Sequence, residues 1–163
     1  MKSRLQKLRQ RFAEKEIDAI FVSQPENRYY LSGFDGSDGF LLITPQNTIL
    51  ATDFRYIEQA KRQAPDYEIF QITNNIADWF PRLVAELNLR RLGFEAGHIT
   101  FARYQQLTDA LNKAKSQLKL VPVDGLVESL RAVKEPEEIE LITKASVIAD
   151  NAFEYIEDII HIG

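Results

Sequence analysis

The segment from residue 33 to residue 39, the glycine loop, holds the residue types best suited to contacting a ligand. Its sequence is Gly33-Phe34-Asp35-Gly36-Ser37-Asp38-Gly39, with glycines spaced three apart. Glycine permits a positive φ and lets a ligand or another chain approach the backbone closely, and the polar side chains add acceptors and a hydroxyl. The segment lacks the Gly-Lys-Ser/Thr sequence of a phosphate-binding P-loop. Two interpretations stay open: a loop that presents polar groups to a ligand, and a turn that joins a helix to a strand.

A second polar group, Thr52-Asp53-Phe54-Arg55-Tyr56, stands where an apolar strand passes into a helix. Asp53 is suited to capping that helix, because its carboxylate can accept hydrogen bonds from the free N–H groups of the first turn. Arg55 lies in that first turn, where the helix dipole disfavours positive charge. We therefore expect Arg55 to have a specific anionic partner, which a guanidinium can bind with two hydrogen bonds.

The residue types exclude several kinds of catalytic centre within this sequence. There is no cysteine, which removes thiol nucleophiles, disulfides and cysteine-ligated zinc. The two histidines, His98 and His161, are too few for a multi-histidine metal site in one chain. His98 follows the strand end Gly93-Phe94-Glu95, and we expect it to be structural or exposed. No Gly-x-Ser-x-Gly elbow is present either, so these residues do not indicate a nucleophilic triad.

Length and composition are typical of one globular domain with at most one further element. The 163 residues are 45% hydrophobic and 27% charged, with a net charge of −4 and a pI near 5.3. An acidic chain is not a general nucleic-acid binder, and no apolar run approaches the ~18 residues of a membrane span. The first residues do not resemble a signal peptide, which together with the lack of cysteine favours a cytoplasmic protein.

The charge is distributed unevenly along the chain. Residues 1–16 hold six Lys or Arg against two Glu, whereas residues 124–163 hold ten Asp or Glu against three Lys or Arg. Charge runs of this kind usually lie on solvated helix faces. The alternative is a contact between the complementary ends, either within one chain or between two chains.

Hydrophobic periodicity predicts six strands interleaved with about five helices. The predicted strands are 18–22, 39–44, 48–52, 67–72, 91–95 and 118–123, and the predicted helices are 3–15, 25–31, 54–64, 76–89 and 100–113. Alternating strands and helices indicate an α/β layer with helices packed against one sheet. The short connection 45–47 predicts an antiparallel hairpin, so the sheet is expected to be mixed rather than wholly parallel.

A final helix is predicted from Glu135-Pro136 to the end, because proline and acidic residues suit a first helical turn. It would run for about 25 residues, or roughly 37 Å. Its apolar residues recur at helical spacing: Ile139, Ile142, Ala145, Ala149, Ala152, Phe153, Ile156, Ile159 and Ile160. Such a long apolar stripe needs a partner surface, so we expect the chain to be a fragment that leads into a second domain. The alternative is a helix that folds back on the sheet.

Several short motifs follow one another along the chain. They are Asn27-Arg28-Tyr29-Tyr30-Leu31-Ser32-Gly33-Phe34, Gly36-Ser37-Asp38-Gly39, the 52–56 segment with Glu58-Gln59-Ala60, Gly93-Phe94-Glu95, and residues 127–134 with 137–139 and 142–145. In this order they resemble the N-terminal domain of the creatinase/prolidase/aminopeptidase P family, the Xaa-Pro metallopeptidases whose catalytic domain has the pita-bread fold. The motif residues marked by the resemblance are Asn27, Tyr30, Gly33, Gly39, Asp53, Arg55 and Tyr56.

The resemblance implies an α/β fold, with a mixed six-stranded, RNase H-like sheet flanked by helices. It places this N-terminal domain at residues 1–133 and a long linker helix at 134–163, leading to a catalytic domain absent from this chain. In that domain two divalent metals, Mn, Co or Zn, would activate the water that attacks the peptide bond before proline. The chain alone would hold no cofactor and lack peptidase activity.

The resemblance also implies a homodimer, in which the loop residues Phe34, Asp35, Gly36, Ser37 and Asp38 reach toward the partner subunit's substrate site. Many relatives carry Thr and Ala where this chain has Asp35 and Asp38. Two acids here would favour a positively charged substrate end, such as the α-amino group of an Xaa-Pro peptide, or an arginine across the interface. Attraction at ~4 Å is worth about 1 to 4 kcal/mol, depending on the dielectric.

Two other functions stay open at this stage. The same fold occurs in relatives that bind protein tails without catalysis, so a stand-alone protein- or peptide-binding module is the main alternative. A small acid-metal nuclease on a similar sheet would need two or three carboxylates on neighbouring strands. Asp35, Asp38 and Asp53 are expected in loops or at a helix cap, which gives that third function little support.

Overall fold

The structure, a computed structural model, describes residues 2–73 and 75–161, which form six strands and seven helices. The strands are β1 (Ala19–Val22), β2 (Phe40–Ile43), β3 (Thr48–Thr52), β4 (Glu68–Gln71), β5 (Arg91–Glu95) and β6 (Lys119–Val123). The helices are α1 (Lys2–Gln10), α2 (Pro25–Ser32), α3 (Ile57–Gln63), α4 (Ile76–Ala85), α5 (Phe101–Lys113), α6 (Leu126–Ala132) and α7 (Pro136–Ile159). A 3-10 turn, Phe54–Tyr56, precedes α3, and the chain divides after Leu130 into two compact units.

One mixed sheet holds the six strands in the order β4-β3-β2-β1-β5-β6. Strand β2 is antiparallel to both β1 and β3, whereas the pairs β1–β5, β5–β6 and β3–β4 are parallel. Five strands therefore run in one direction and β2 runs in the other. The mixed six-stranded sheet and the long last helix confirm the fold class that the sequence predicts.

Helices cover both faces of this sheet. On the first face, α1, α2, α3 and α6 pack into one apolar cluster, and on the second face α4 and α5 pack into another. Alternate residues of β1 serve the two clusters, because successive side chains of a strand point to opposite faces. Ile20 and Val22 belong to the first cluster, whereas Ala19 and Phe21 belong to the second.

Three elements differ from the sequence prediction. Helix α1 ends at Gln10 rather than at residue 15, and the chain then turns through Glu16 at a φ of 51°. That turn brings Phe12 and Ile17 into the first cluster, because the N–H of Ile17 donates to the Phe12 carbonyl at 3.1 Å. Helix α4 ends at Ala85 instead of 89. Helix α6 was not expected, since its seven residues are too short to show a clear period.

The basic residues near the amino terminus hold α1 to the sheet and to α6. Arg9 Nε donates to the Thr44 carbonyl at 2.8 Å, and Arg11 Nη1 donates to Ser129 Oγ at 2.6 Å. The Arg4 guanidinium lies 4.2 Å from the centre of the Tyr30 ring, a cation–π contact. The positive charge at this end therefore has a local structural use within the first unit.

Helix α7 belongs to the second unit. Its first turn carries a capping box, in which the Glu138 carboxylate accepts from the Glu135 N–H at 2.9 Å while the Glu135 side chain accepts from the Glu138 backbone. Its large apolar side chains are about half exposed or more: Ile139, Leu141, Ile142, Val147, Ile148, Phe153, Tyr155, Ile156 and Ile159. No helix among residues 2–73 and 75–161 is long and apolar enough to cross a membrane.

Candidate functional site

Most of the polar motifs lie at one edge of the sheet, where β1, β3, β4, β5 and β6 end and β2 begins. The glycine loop precedes β2, Ser23 follows β1, Asp53 follows β3, and Glu95 ends β5. Ligands of open α/β sheets bind in the crevice outside the carboxyl ends of the strands. This edge is therefore the candidate functional site.

The glycine loop is folded around the ring of Phe34. That ring is fully buried and meets the Tyr56 ring edge-on, with 6.2 Å between centroids. A Cβ atom on Gly36 would lie only 2.2 Å from Phe34 Cζ, so no larger residue fits there without a shift of the loop. Of the five loop residues that the resemblance directs toward a partner subunit, Phe34 and Gly36 are thus buried inside the loop.

Arg28 of α2 clamps the loop from below. Its Nη1 donates to the Gly39 carbonyl at 2.6 Å, and its Nη2 donates to the Gly36 carbonyl. The hydroxyl of Thr52 holds the loop from the other side, since it donates to the Asp38 carbonyl at 2.8 Å. Three loop carbonyls are therefore fixed by side chains from α2 and β3.

The Arg28 guanidinium is an unusual buried cation, with only 3% of the residue exposed. Burial lowers the pKa of Arg28 below its ordinary value, and the fields of Asp38, Glu26 and Glu95 oppose that shift. Its Nε–H has no hydrogen-bond partner among the described residues. Because buried N–H groups are normally satisfied, this unpaired donor is an exception within the candidate site.

Asp35 is exposed but tied back to its own chain. Its Oδ1 accepts from Gln59 Nε2 at 2.6 Å and from Gln63 Nε2 at 2.8 Å, both on α3. The hydrogen bond from Gln63 is the main cause of a lowered pKa at Asp35. This carboxylate is therefore ionised and already partly occupied.

Ser37 and Asp38 are the outward part of the loop. The hydroxyls of Ser37 and Tyr56 lie 2.6 Å apart, which orients the serine side chain. Asp38 is exposed, and its carboxylate acts through space on Arg28 and Arg55. Asp38 is thus the loop carboxylate best placed to meet a cationic group from outside.

Asp53 caps the 3-10 turn, because its Oδ1 accepts from the Arg55 N–H at 2.8 Å. The same carboxylate pairs with the Arg55 guanidinium, with Nη2 at 2.5 Å from Oδ2. This contact is the main cause of the lowered pKa of Asp53. The anionic partner expected for Arg55 is therefore Asp53 itself, two residues away.

Sequence reasoning missed the role of Glu95 as the centre of a buried hydrogen-bond network. Its Oε2 accepts from the Ser23 N–H at 2.6 Å, the Ser23 hydroxyl at 3.0 Å and the Gln24 N–H at 2.7 Å. Its Oε1 accepts from Asn27 Nδ2 at 2.7 Å, and the same amide donates to Glu128 at 2.6 Å. Asn27 and Glu95 therefore join β1, α2, β5 and α6. The available signal was an acidic residue that ends an apolar strand.

His98 and Ser23 lie close together but do not form a nucleophile and its base. Ser23 Oγ is 2.9 Å from His98 Nδ1, while its single proton is given to Glu95. His98 must therefore donate its Nδ1–H to the serine oxygen, which is the reverse of what base catalysis requires. His98 is exposed and structural, in line with the sequence expectation.

Tyr30 is a buried structural residue rather than a surface one. In addition to its contact with Arg4, its hydroxyl lies 3.4 Å from the Leu130 carbonyl. Gly33 ends α2 at a φ of 75°, and its N–H donates to the Tyr29 carbonyl at 2.7 Å. A left-handed glycine at this position is a common way to terminate a helix.

Three surface clefts surround the glycine loop. One of about 510 Å³ lies between the loop and Asp53, Arg55 and Trp79. A second, of about 310 Å³, lies between the loop, Ser23 and the start of α5, and a third, of about 360 Å³, borders Tyr29. A larger cleft, of about 780 Å³, lies elsewhere, between α1 and the end of α3. Ser32 is the only residue of the motifs on its wall, and none of the seven residues marked by the resemblance lines it, so the polar edge is the better candidate site.

A family model for the Creatinase/Prolidase N-terminal domain matches residues 4–133. The chain belongs to this family. The creatinase/prolidase N-terminal domain match covers every strand of the sheet and the whole candidate site.

Two of the most similar relatives are bacterial. An uncharacterized peptidase, YqhT of Bacillus subtilis, is 36% identical over 153 residues, which are 94% of this chain and 42% of that protein. The solved structure of an Xaa-Pro dipeptidase from Bacillus anthracis has a TM-score of 0.92 at 37% identity, and the match covers 99% of this chain and 44% of that one. The chain thus spans less than half of the length of these relatives.

A second solved structure is similar in extent as well as in fold. It is the N-terminal domain of a cytoplasmic peptidase, PepQ, from Mycobacterium tuberculosis, with a TM-score of 0.71 at 37% identity. The match covers 78% of this chain and 98% of that chain. A creatinase/prolidase N-terminal domain can therefore be crystallised apart from the rest of its protein.

Proposed function

We propose that this chain is the non-catalytic N-terminal domain of a metal-dependent Xaa-Pro dipeptidase or Xaa-Pro aminopeptidase. The observation that carries the proposal is the coverage of the relatives. The chain corresponds over nearly its whole length to 44% of the Bacillus anthracis Xaa-Pro dipeptidase. The catalytic residues of the whole enzyme are assigned to the remaining part, which this chain does not include.

Two divalent ions, Mn, Co or Zn, are proposed to bind in that further domain, where they would supply the Lewis acid that activates water. The described residues of this chain do not fit such a site, since no group of three His, Cys, Asp or Glu converges among them. No catalytic step is therefore assigned to this domain, and its own proposed work is assembly and substrate recognition.

The glycine loop is the proposed point of contact with the partner subunit's substrate site in a homodimer. Its backbone is held by Arg28 and Thr52 and filled by Phe34, so it would lose little conformational entropy on contact. The loop would present Ser37 and Asp38 outward. The Asp38 carboxylate would attract the free α-amino group of an Xaa-Pro peptide, or an arginine of the partner subunit.

The exposed apolar face of α7 supports a second contact, with the chain's own C-terminal catalytic domain. Extended exposed apolar patches mark surfaces that meet another protein or domain. We further propose a cytoplasmic location, as described for the Mycobacterium tuberculosis peptidase whose N-terminal domain is similar to this chain.

The test compares this 163-residue chain with the full-length protein, using Xaa-Pro dipeptides and longer Xaa-Pro peptides with added Mn, Co or Zn. We expect hydrolysis by the full-length protein only, which light scattering should show to be a dimer. Activity of the 163-residue chain alone would overturn the proposal. A full-length protein that is inactive with every metal but binds peptides would instead support a peptide-binding function without peptidase activity.

The role of the loop is tested in the full-length enzyme with Asp38→Asn, Asp35→Asn and the control Asp109→Asn, an exposed acid on α5. We expect Asp38→Asn to raise KM by about fivefold to tenfold, the effect of losing one partly exposed charge contact. Asp35→Asn should act less, because Gln59 and Gln63 already occupy that carboxylate. An unchanged KM in Asp38→Asn would remove the proposed contact.

A further inference from the structure

The 310 Å³ cleft lies where the chain connections of two neighbouring strands diverge. Strands β1 and β5 are adjacent and parallel. The chain leaves β1 for α2, which packs on the first face of the sheet, and leaves β5 for α5, which packs on the second face. Such a divergence opens a crevice at the carboxyl ends of the strands, and crevices of this type are the usual ligand sites of α/β sheets.

We call the 310 Å³ cleft the switch-point crevice. The residues that line it come from both of the diverging chain connections. Ser23 and Arg28 belong to the β1 side, His98 and Arg103 to the β5 side, and Asp38 to the glycine loop. The walls also include the apolar groups of Pro25, Phe40 and Ile99. A volume of about 310 Å³ is at the small end of the range for ligand pockets, which suits a molecule the size of an amino acid or dipeptide.

Two arginines, Arg28 and Arg103, and one carboxylate, that of Asp38, line the crevice. The buried Arg28 guanidinium donates only to neutral carbonyls, and no carboxylate forms an ion pair with it among the described residues. Its Nε–H also has no hydrogen-bond partner among those residues. The carboxylates of Asp38, Glu26 and Glu95 act on Arg28 through space rather than by a direct contact. Because buried charges are normally paired, the guanidinium leaves room for an anion that bonds to it directly.

The start of α5 adds to this charge. Thr100 caps the helix by accepting from the Arg103 N–H at 3.2 Å, and no acidic residue stands in the first turn. Arg103 itself is exposed in that turn, where the helix dipole disfavours a cation. The groups that oppose an anion are the exposed carboxylates of Asp38 and Glu26 and, behind Ser23, the buried carboxylate of Glu95.

We propose that the switch-point crevice binds a small oxyanion, a carboxylate or a phosphate. The anion would lie between the Arg103 guanidinium and the first turn of α5, with Arg28 as the buried countercharge. The apolar wall would accommodate the carbon skeleton of a small carboxylate. This inference concerns a ligand of the domain itself and does not depend on the peptidase function proposed above.

The experiment is an NMR titration of this 163-residue chain, first with inorganic phosphate and then with N-acetylglycine, at constant ionic strength. We expect saturable shifts at the amides of residues 100–103 and at the Nε–H of Arg28. If phosphate binds more tightly, the ligand is a phosphate compound, and if N-acetylglycine does, it is a carboxylate; either result supports the proposal. Absence of saturable shifts with both probes at tens of millimolar overturns it.

Three variants locate the site without disturbing the buried clamp. Arg103→Gln should weaken binding about tenfold or more, the cost of one charge-assisted hydrogen bond. The control Lys113→Gln removes a positive charge from the other end of α5, about 15 Å away, and should change binding by less than about twofold. Asp38→Asn removes the opposing charge and should tighten binding. Equal losses in Arg103→Gln and Lys113→Gln would show a general charge effect and overturn the proposal.

Discussion

The ring of Phe34 occupies the space that a side chain at Gly36 would need, with Cζ only 2.2 Å from the position of a Cβ atom there. The ring is fully buried and held by Tyr56, so it has little freedom to withdraw. We therefore expect Gly36→Ala to destabilise the domain by about 1 to 3 kcal/mol, the usual cost of overpacking. Urea unfolding followed by the fluorescence of Trp79 measures this change.

The control for this variant is Gly97→Ala, also in a loop at the same edge of the sheet. A Cβ atom at residue 97 would meet nothing closer than Asp124 Oδ1 at 3.8 Å. Its free energy of unfolding should stay within about 0.5 kcal/mol of the parent value. Equal stability of Gly36→Ala and Gly97→Ala would show that the loop does not rest on the Phe34 ring.

Glu95→Gln is expected to destabilise the domain although the side chain keeps its shape. Four donors face the two carboxylate oxygens, from the Ser23 backbone and hydroxyl, Gln24 and Asn27. A glutamine must turn an NH₂ group toward at least one donor and loses those hydrogen bonds. The expected cost is about 1 to 3 kcal/mol for the buried groups left unsatisfied.

The matched control is Glu68→Gln, which makes the same chemical change at an exposed position of β4. Both variants are compared by urea unfolding at neutral pH. Only Glu95→Gln should lose stability, and it should also expose the amide of Ser23 to faster hydrogen exchange. If the two variants unfold at the same urea concentration, the network around Glu95 contributes nothing to stability.

Asp53 is expected to titrate below the ordinary value of 3.8 for an aspartate, because Arg55 donates to its carboxylate. A lowered pKa in the folded state means that the pair contributes stability above the unfolded pKa and loses it as the pH falls through the folded pKa. The stability difference between the parent and Asp53→Asn should therefore shrink on acidification below about pH 4. NMR titration of the aspartate carboxyl groups measures the pKa directly.

Arg55→Gln supplies the test of cause, with Asp35 as an internal control in the same spectra. The pKa of Asp53 should rise toward its ordinary value in this variant. The pKa of Asp35 should stay low, since the main cause of its lowering is the hydrogen bond from Gln63. A pKa of Asp53 that is unaffected by the loss of Arg55 would show that the ion pair is not formed in solution.

The parts of this structure that sequence could predict are those set by neighbours in the chain. The bounds of β3 follow from its apolar run, and the cap at Asp53 follows because acceptor and donor are two residues apart. Helix α6 escaped prediction because a single buried pair, Leu126 and Val127, shows no period. Local signals therefore specify the elements but not every short one.

The candidate site was predictable only in part, because its decisive contacts join distant residues. Asn27 and Glu95 are 68 positions apart and meet only because β1 and β5 are neighbours in the sheet. The contact of Asp35 with Gln59 and Gln63 likewise depends on where α3 packs. Sequence alone treats Asp35 and Asp38 as equivalent loop acids. In the fold both are exposed, but Asp35 already accepts hydrogen bonds from two glutamines of α3.

The apolar face of α7 should cause the 163-residue chain to associate in solution. Ile142, Phe153 and Ile156 recur at helical spacing and are each about half exposed or more, and large exposed apolar patches rarely remain in water. Phe153→Lys with Ile156→Lys should weaken association about tenfold or more, since each buried side chain of this size contributes about 1.5 to 3 kcal/mol. Analytical ultracentrifugation over a range of concentrations measures the effect.

Thr143→Lys with Asn151→Lys is the matched control for that pair. It adds the same two charges to the same helix, but the helical spacing of 100° per residue puts both positions on the polar face of α7. Its association should equal that of the parent chain, because no apolar contact is lost. If both double variants dissociate alike, charge repulsion rather than loss of apolar contact is responsible. A parent chain that stays monomeric at every concentration would show that this face of α7 does not mediate self-association.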